Sequence, residues 1–193
     1  MSASAYSNTA FNTNYGVKAS SGTMGILSMG TKVLIIQRRL KNKEVRENGP
    51  PDTWSFPGGG LDPDETPEKC IVREMKEELS VDVVIQPIGD EEVWGTTDDD
   101  VDNKLWRCSI FVVAQTNPAQ TVKINEPHKH DDLKWIEWKE MWAQIKAEVE
   151  GHGEIDELGE LKMRFFPTMK NMVLKYPKRE EPACLSGRLG DLT

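Results

Sequence analysis

The sequence predicts an α/β fold, because segments with the residue pattern of β-strands lie on both sides of one well-delimited amphipathic helix. Residues 32–39 (KVLIIQRR) and 104–115 carry the clearest strand patterns, rich in β-branched and aromatic side chains. The helix between them has Thr66 as its expected N-cap and Pro67 in its first turn, and neither glycine nor proline interrupts it before Leu79. Two weaker helical patterns follow in the last third of the chain. A layered arrangement of strands and helices is therefore expected.

The predicted domain spans residues 16–178, and less regular segments flank it. Residues 1–15 are rich in Ser, Ala, Asn and Thr without periodicity, which is typical of a flexible segment. Residues 179–193 have the composition of a loose tail. Within the domain, further strands are expected at residues 16–27, 54–57, 81–87, 91–96 and 133–138, and further helices at residues 139–150 and 167–174.

Composition limits the classes of partner. A formal net charge of −8 argues against a general binder of nucleic-acid backbones, which needs a basic stripe. A phosphorylated small molecule remains compatible with this charge, because a bound divalent cation can bridge acidic residues to phosphates. The three cysteines are widely spaced and odd in number, and the chain shows neither a secretory leader nor a long apolar run. We expect a soluble cytoplasmic protein with no nucleic-acid polymer or membrane as partner, and the sequence leaves a homodimer open.

The predicted helix places carboxylates beside its apolar face. Ile71, Val72, Met75 and Leu79 form one apolar arc at 100° per residue, and a second arc contains Glu74, Glu77 and Glu78. Glu74 and Glu78 are four residues apart, so their like charges would repel on a bare helix. Carboxylates crowded beside a packed face suggest a hard divalent cation such as Mg²⁺. The alternative is a solvated acidic face.

The spacing of glycine, glutamate and arginine residues in and before this helix is similar to that of a known protein family. Gly59 is followed after five residues by Glu65, and Glu65 is followed after seven residues by the segment 73–81 (REMKEELSV). This spacing resembles the signature of the Nudix hydrolases. The family pattern is matched at every fixed position except its last glycine, which is Ser80 here. The resemblance implies the Nudix fold, a mixed β-sheet sandwiched between α-helices. It also implies hydrolysis of a nucleoside diphosphate linked to another group, with Mg²⁺, or Mn²⁺ in its place, as cofactor.

The same resemblance implies roles for individual side chains. Glu74 and Glu78 would hold the metal, together with the backbone carbonyl of Gly59, and Glu77 would add a ligand or orient a water. The general base would be either Glu77 or Glu126, the latter on a late loop facing the helix. Arg73 is expected to pair with Glu77, one turn later, and hold that carboxylate in position.

Substrate contacts are expected at three further positions. Arg38, at the end of a predicted strand, suits phosphate oxygens. Trp135 and Phe165 are candidates for stacking on a nucleobase, although aromatic residues in such patterns commonly belong to the core. His128 and His130 could suggest zinc, but two histidines without a cysteine partner are more typical of a surface loop.

The chain looks closest to the MutT-like branch of the family. This implies cleavage of a nucleoside triphosphate, including an oxidised or non-standard one, to the monophosphate and pyrophosphate. Inositol pyrophosphates and dinucleoside polyphosphates are the alternative substrates, since residues 38–46 offer a basic segment. A non-catalytic binding module is the other alternative, but such members usually lack carboxylates that are all present here.

Overall fold

A mixed β-sheet lies at the centre of the protein in the computed structural model, which describes residues 20–39, 53–88, 93–101, 104–157 and 161–177. The predicted flexible segment 1–15 and the predicted tail 179–193 lie outside the described residues, as do all but the first two residues of the basic segment 38–46.

The described residues form the following elements in chain order. They are β1 (Ser20–Met29), β2 (Lys32–Arg38), β3 (Thr53–Ser55), α1 (Pro67–Leu79), β4 (Val83–Ile85), β5 (Val93–Val101), β6 (Lys104–Gln115), β7 (His130–Glu137), α2 (Trp138–Val149), β8 (Arg164–Phe165) and α3 (Pro167–Lys175). The predicted bounds of β6 are confirmed, and the predicted strand at 133–138 is wrong at its last residue, because Trp138 begins α2. Among the described helices, none is both long and apolar enough to cross a membrane.

Strand order in the sheet is β4-β6-β1-β2-β3-β8, with β5 also pairing with β6 and β7 with β2. Two pairs are parallel, β1 with β6 and β3 with β8. The other pairs are antiparallel. The predicted mixed sheet is therefore confirmed.

Alternate residues of the central strands enter two separate cores. On β2, Val33 and Ile35 pack with residues of α2 and α3, including Met141 and Met169. Leu34 and Ile36 point to the opposite face, where the buried side of α1 covers them. Full burial of an aliphatic side chain contributes about 1.5–3 kcal/mol. Helices thus cover both faces of the sheet, as the predicted sandwich requires.

Helix α1 has the ends that its sequence predicts. The hydroxyl of Thr66 accepts a hydrogen bond from the Lys69 N–H at 3.4 Å, and Pro67 opens the first turn. Ser80 ends the helix in the left-handed conformation, with φ 59° and ψ 28°. Val72 departs from its predicted place in the apolar arc, because it is 38% exposed at the margin of the buried face. The caps set where α1 begins and ends, and the packing of Ile71, Met75 and Leu79 in the core sets its rotation and hence the direction of its carboxylates.

Candidate active site

Of the three glutamates of α1 that were predicted to bind metal, two are buried and one is exposed. Glu74 and Glu78 retain only 7% and 5% of their accessible surface. The side chain of Glu77 is 47% exposed and accepts a hydrogen bond from Arg73. A solvated acidic face therefore describes Glu77 alone. The structure separates this residue from the other two predicted metal ligands.

The buried carboxylate of Glu78 is held at both oxygens. Its Oε2 accepts a hydrogen bond from the backbone N–H of Gly58 at 2.8 Å, and its Oε1 lies 2.9 Å from Nε2 of His130. Gly58 has φ 147°, and a Cβ there would overlap the carbonyl oxygen of Thr23. Only glycine fits this position, since the loop passes against β1 and reaches Glu78 at the same point.

The next glycine brings backbone close to Glu74. A Cβ on Gly59 would lie 2.5 Å from Oε1 of Glu74, so a larger residue would displace that carboxylate. The carbonyl oxygen of Gly59 accepts hydrogen bonds from Thr23 N–H at 2.9 Å and from the Cys70 thiol at 3.8 Å. The turn thus brings the backbone of Gly58 and Gly59 against the two buried carboxylates. The Gly59 carbonyl as a metal ligand stays a prediction.

Negative charge accumulates at this point of the structure. Burial, and then the charge of Glu78, raise the pKa of Glu74 to about 7, against the opposing effect of Arg73. Glu126 lies on the loop before β7, and its Oε1 accepts a hydrogen bond from Lys129 Nζ at 2.8 Å. Its Oε2 is buried and has no hydrogen-bond partner among the described residues. Oxygen donors with uncompensated negative charge fit a hard divalent cation such as Mg²⁺.

Arg73 joins the loop to the helix. Its Nε and Nη2 donate to both oxygens of Glu65, at 2.9 and 2.8 Å, and its Nη1 donates to Glu74 and Glu77 at 2.8 and 3.1 Å. Nη2 also donates to the carbonyl of Gly60 at 3.0 Å. The bond to Arg73 is the main cause that lowers the pKa of Glu65 to about 2. The predicted pairing of Arg73 with Glu77 is confirmed, within a larger network that sets the position of Glu74.

Arg38 lies at the end of β2, half-buried, with its guanidinium 5.0 Å from the ring centroid of Phe166. Burial lowers its pKa, and the charge of Glu78 opposes that effect. In the pairing of β2 with β7, Arg38 lies opposite His130. No carboxylate among the described residues forms an ion pair with it. The cation is therefore positioned by a ring and remains available to an anion.

The two predicted stacking residues do not present free faces. Phe165 has 0% exposed surface within the core beneath α2 and α3, so it cannot stack on a base unless the core rearranges. Its predicted substrate contact is therefore wrong. Trp135 is partly buried against the core beneath α1, which agrees with the core alternative. The aromatic ring beside Arg38 is that of Phe166, the next residue after Phe165.

His130 is the site residue that the sequence interpretation missed. The surface-loop assignment holds for His128, whose side chain is 68% exposed, but His130 is 6% exposed and opens β7. A turn beginning at Glu126 brings the two together, since the backbone N–H of His130 donates to the Glu126 carbonyl at 3.1 Å. No local signal separated His130 from His128, because the burial of His130 depends on the pairing of β7 with β2. Ligand atoms of Glu78, Glu126 and His130 lie within 4.8 Å of one another.

Comparison with known proteins identifies the family. The NUDIX domain profile matches residues 18–158. The chain belongs to the Nudix family. It is 30% identical over 104 residues to an RNA pyrophosphohydrolase of Nitratiruptor sp., covering 49% of this chain and 65% of that protein. It is 53% identical over 51 residues to an 8-oxo-dGTP diphosphatase of Proteus vulgaris, covering 26% of this chain and 40% of that protein. The Nudix chain thus spans less than two thirds of the length of each of these relatives.

Solved structures show the same Nudix fold. A MutT protein from Methanosarcina mazei Go1 superposes with a TM-score of 0.53 at 18% identity, covering 66% of this chain and 83% of that one. A Nudix hydrolase from Nitrosomonas europaea superposes with a TM-score of 0.52 at 14% identity, covering 87% and 95%. Identities this low support the architecture alone.

Proposed function

We propose that this Nudix chain is a metal-dependent hydrolase that cleaves a pyrophosphate bond in a nucleoside triphosphate, giving the monophosphate and pyrophosphate. The observation that carries the proposal is the burial of Glu74 and Glu78 beneath a glycine turn, with Glu126 facing the same point. Burying carboxylates without a cation is unfavourable. Arg73 pairs with Glu74 and Lys129 with Glu126, whereas Glu78 is held by the Gly58 N–H and by His130.

The residues that would hold the cation are Glu74, Glu78 and the carbonyl of Gly59. All offer oxygen, which suits Mg²⁺ and also Mn²⁺. When bound, the ion supplies Lewis-acid stabilisation of charge on the phosphoryl oxygens. Glu77 is assigned a different role from the predicted one: its bond to Arg73 supports the network that holds Glu74.

Proton transfer is assigned to Glu126. Its buried Oε2 has no partner among the described residues and can therefore accept the proton of an attacking water. The expected alternative, Glu77, is exposed, and one of its oxygens accepts a hydrogen bond from Arg73. Arg38 would bind negatively charged phosphate oxygens of the substrate. None of the described carboxylates forms an ion pair with its guanidinium, which lies against the ring of Phe166.

One alternative substrate to a free nucleoside triphosphate is supported by a comparison. The relative with the 104-residue match is named an RNA pyrophosphohydrolase, which makes a triphosphorylated RNA end a second candidate. The net charge of −8 weighs against long RNA as substrate. Dinucleoside polyphosphates and inositol pyrophosphates would need more free cations, and Arg39 is already bonded to the Pro127 carbonyl and paired with Asp131.

A substrate panel tests the proposal. The purified chain is incubated with Mg²⁺ and, separately, with dGTP, 8-oxo-dGTP, diadenosine tetraphosphate and a 5′-triphosphorylated RNA oligomer. We expect the monophosphate and pyrophosphate from a nucleoside triphosphate, and no turnover with excess chelator. Orthophosphate as the first product, or unchanged rates in chelator, would contradict the proposal. A preference for the RNA oligomer would select the second candidate.

A further inference from the structure

The loop before β7 carries Glu126, and its backbone is held against the end of α1. The last carbonyls of an α-helix need hydrogen-bond donors from outside the helix. The Glu78 carbonyl accepts a hydrogen bond from the Asn125 N–H at 2.8 Å, and the Glu77 carbonyl accepts one from the side-chain amide of Asn125 at 2.9 Å. The residue directly before Glu126 is therefore fixed to the helix that carries the buried carboxylates.

Backbone hydrogen bonds hold the other side of this loop as well. The Glu126 carbonyl accepts from the N–H groups of Lys129 and His130, at 2.9 and 3.1 Å. The Lys129 carbonyl in turn accepts from the Arg39 N–H at 2.7 Å, next to β2. The backbone at Glu126 is thus set from both sides. Rotation of its side chain still has to be fixed, because that rotation decides where the two carboxylate oxygens lie.

Lys129 makes the side-chain contact that fixes this rotation. Its Nζ donates to Glu126 Oε1 at 2.8 Å, and this hydrogen bond is the main cause that raises the pKa of Lys129. His128 Nε2 lies 4.0 Å from the same oxygen, which is too far for a hydrogen bond. With Oε1 engaged, the buried Oε2 is left without a partner among the described residues. Hydrogen bonds between two charged groups are the strong ones.

We infer that Lys129 is a positioning residue for Glu126: its ammonium holds Oε1, so that Oε2 alone is available to take the proton of the attacking water. This inference rests on the proposed role of Glu126 as general base. A residue that acts through the base contributes to kcat, because the base is used in the transition state. A lysine that bound substrate phosphate directly would contribute to KM instead.

The experiment is steady-state pyrophosphate release by the full chain, with Mg²⁺ and the nucleoside triphosphate that the substrate panel selects. Lys129 is 44% exposed, so its replacement leaves the core intact. Lys129→Met removes the donor and keeps the length of the side chain, whereas Lys129→Arg keeps a donor. The matched control is Lys123→Met, which removes the same charge from an exposed position of the same loop and leaves its backbone hydrogen bond to Leu79 in place. Thermal melting without metal establishes that each variant is folded.

We expect kcat to fall about tenfold in Lys129→Met with KM within about twofold of the parent, and Lys129→Arg to recover most of the loss. Lys123→Met should match the parent. In a Glu126→Gln background, Lys129→Met should cause no further loss, because the group that it positions is already gone. A raised KM with unchanged kcat, an equal loss in Lys123→Met, or a loss that persists in the Glu126→Gln background would overturn the inference.

Urea denaturation in chelator tests the contact without turnover. The effects of Lys129→Met and Glu126→Gln on the free energy of unfolding should not be additive in the double variant, because the two side chains are bonded to each other. Additive effects would overturn the inference in an active and in an inactive chain alike. Non-additive effects in a chain that releases no pyrophosphate from any substrate of the panel would reject the proposed function and retain Lys129 as the partner of Glu126. Turnover that Lys129→Met leaves unchanged would reject the role of Lys129 and leave the proposed function standing.

Discussion

Arg73 donates to both carboxylate oxygens of Glu65, at 2.9 and 2.8 Å, across eight residues of sequence. The pair connects the loop that follows the glycine turn to the middle of α1. The same guanidinium reaches Glu74 and the Gly60 carbonyl, so this bond helps to set the distance between the turn and the buried carboxylates. Bidentate pairing of arginine with a carboxylate is geometrically specific, which explains why both residues belong to the family signature.

Glu65→Gln should lower the free energy of unfolding at neutral pH by about 1–3 kcal/mol, because a charged hydrogen bond is lost. The pKa of Glu65 is lowered from 4.5 to about 2, so its contribution is fully present above pH 4.5 and is lost as the pH falls toward 2. Urea denaturation in chelator at several pH values measures the difference between the proteins. The exposed Glu157→Gln is the control. A difference that does not shrink below pH 4.5 would assign the effect to packing instead.

Glu78→Gln should reduce kcat about 100-fold or more if the buried carboxylates hold the metal. Glu74→Gln should behave similarly. Glu77→Gln should have a much smaller effect, because Glu77 is exposed and bonded to Arg73. Pyrophosphate release at saturating Mg²⁺ provides the rates. Equal losses at all three positions would show that Glu77 is a ligand or base, as the family resemblance first suggested.

These substitutions also differ in their expected effect on folding. Glu78 accepts from Gly58 N–H and lies against His130, and glutamine in its place removes the charge that strengthens these hydrogen bonds. Glu78→Gln should therefore destabilise the chain by about 1–3 kcal/mol. The sequence suggested an exposed pair whose repulsion would be relieved by substitution. Burial of Glu78 reverses that expectation, and melting temperatures without metal check it.

The sequence predicted features that depend on neighbouring residues more accurately than features that depend on contacts between distant residues. The strand β6 and the ends of α1 depend on local alternation, on Thr66 and on Pro67, and they are confirmed. The burial of His130 depends on the pairing of β7 with β2, which places it opposite Arg38, distant in sequence. No local pattern distinguishes it from the exposed His128. The prediction of the site was limited because its residues are brought together by pairing between strands that are far apart in the sequence.

The same limit explains the exchange of Phe165 for Phe166. Both are aromatic, adjacent and part of the same core, and the pairing of β8 with β3 fixes the direction of each ring. Phe165 lies opposite Trp54 in that pairing and is fully buried, while Phe166 reaches the ring contact with Arg38. Phe166 is 9% exposed and belongs to the same core, so one position along the chain decides which of the two buried rings contacts Arg38.

Phe166→Leu should raise KM for the preferred nucleotide several-fold with a smaller change in kcat, because the ring positions a cation that contacts substrate in ground and transition states alike. Arg38→Gln should have the same type of effect and a larger one. Phe165→Leu, the matched control in the core, should lower the melting temperature and leave KM unchanged. A raised KM in Phe165→Leu without loss of stability would restore the original stacking assignment.

Ser80→Gly tests the one departure from the family signature. Ser80 has φ 59° and ψ 28°, a left-handed conformation that costs a residue with a Cβ about 1 kcal/mol. Glycine removes that strain but gains about as much entropy in the unfolded chain. We therefore expect the free energy of unfolding to be equal or slightly higher.

The carboxylates of α1 precede this position, and the Ser80 N–H bond to the Lys76 carbonyl does not involve the side chain. The kcat of Ser80→Gly should therefore stay within about threefold of the parent. The converse control is Gly151→Ser, where φ is 76° and nothing lies near a new Cβ, so the added strain and the lower entropy of the unfolded chain should nearly cancel and the free energy of unfolding should be equal or slightly lower. An inert parent that becomes active as Ser80→Gly would show instead that serine here inactivates the site.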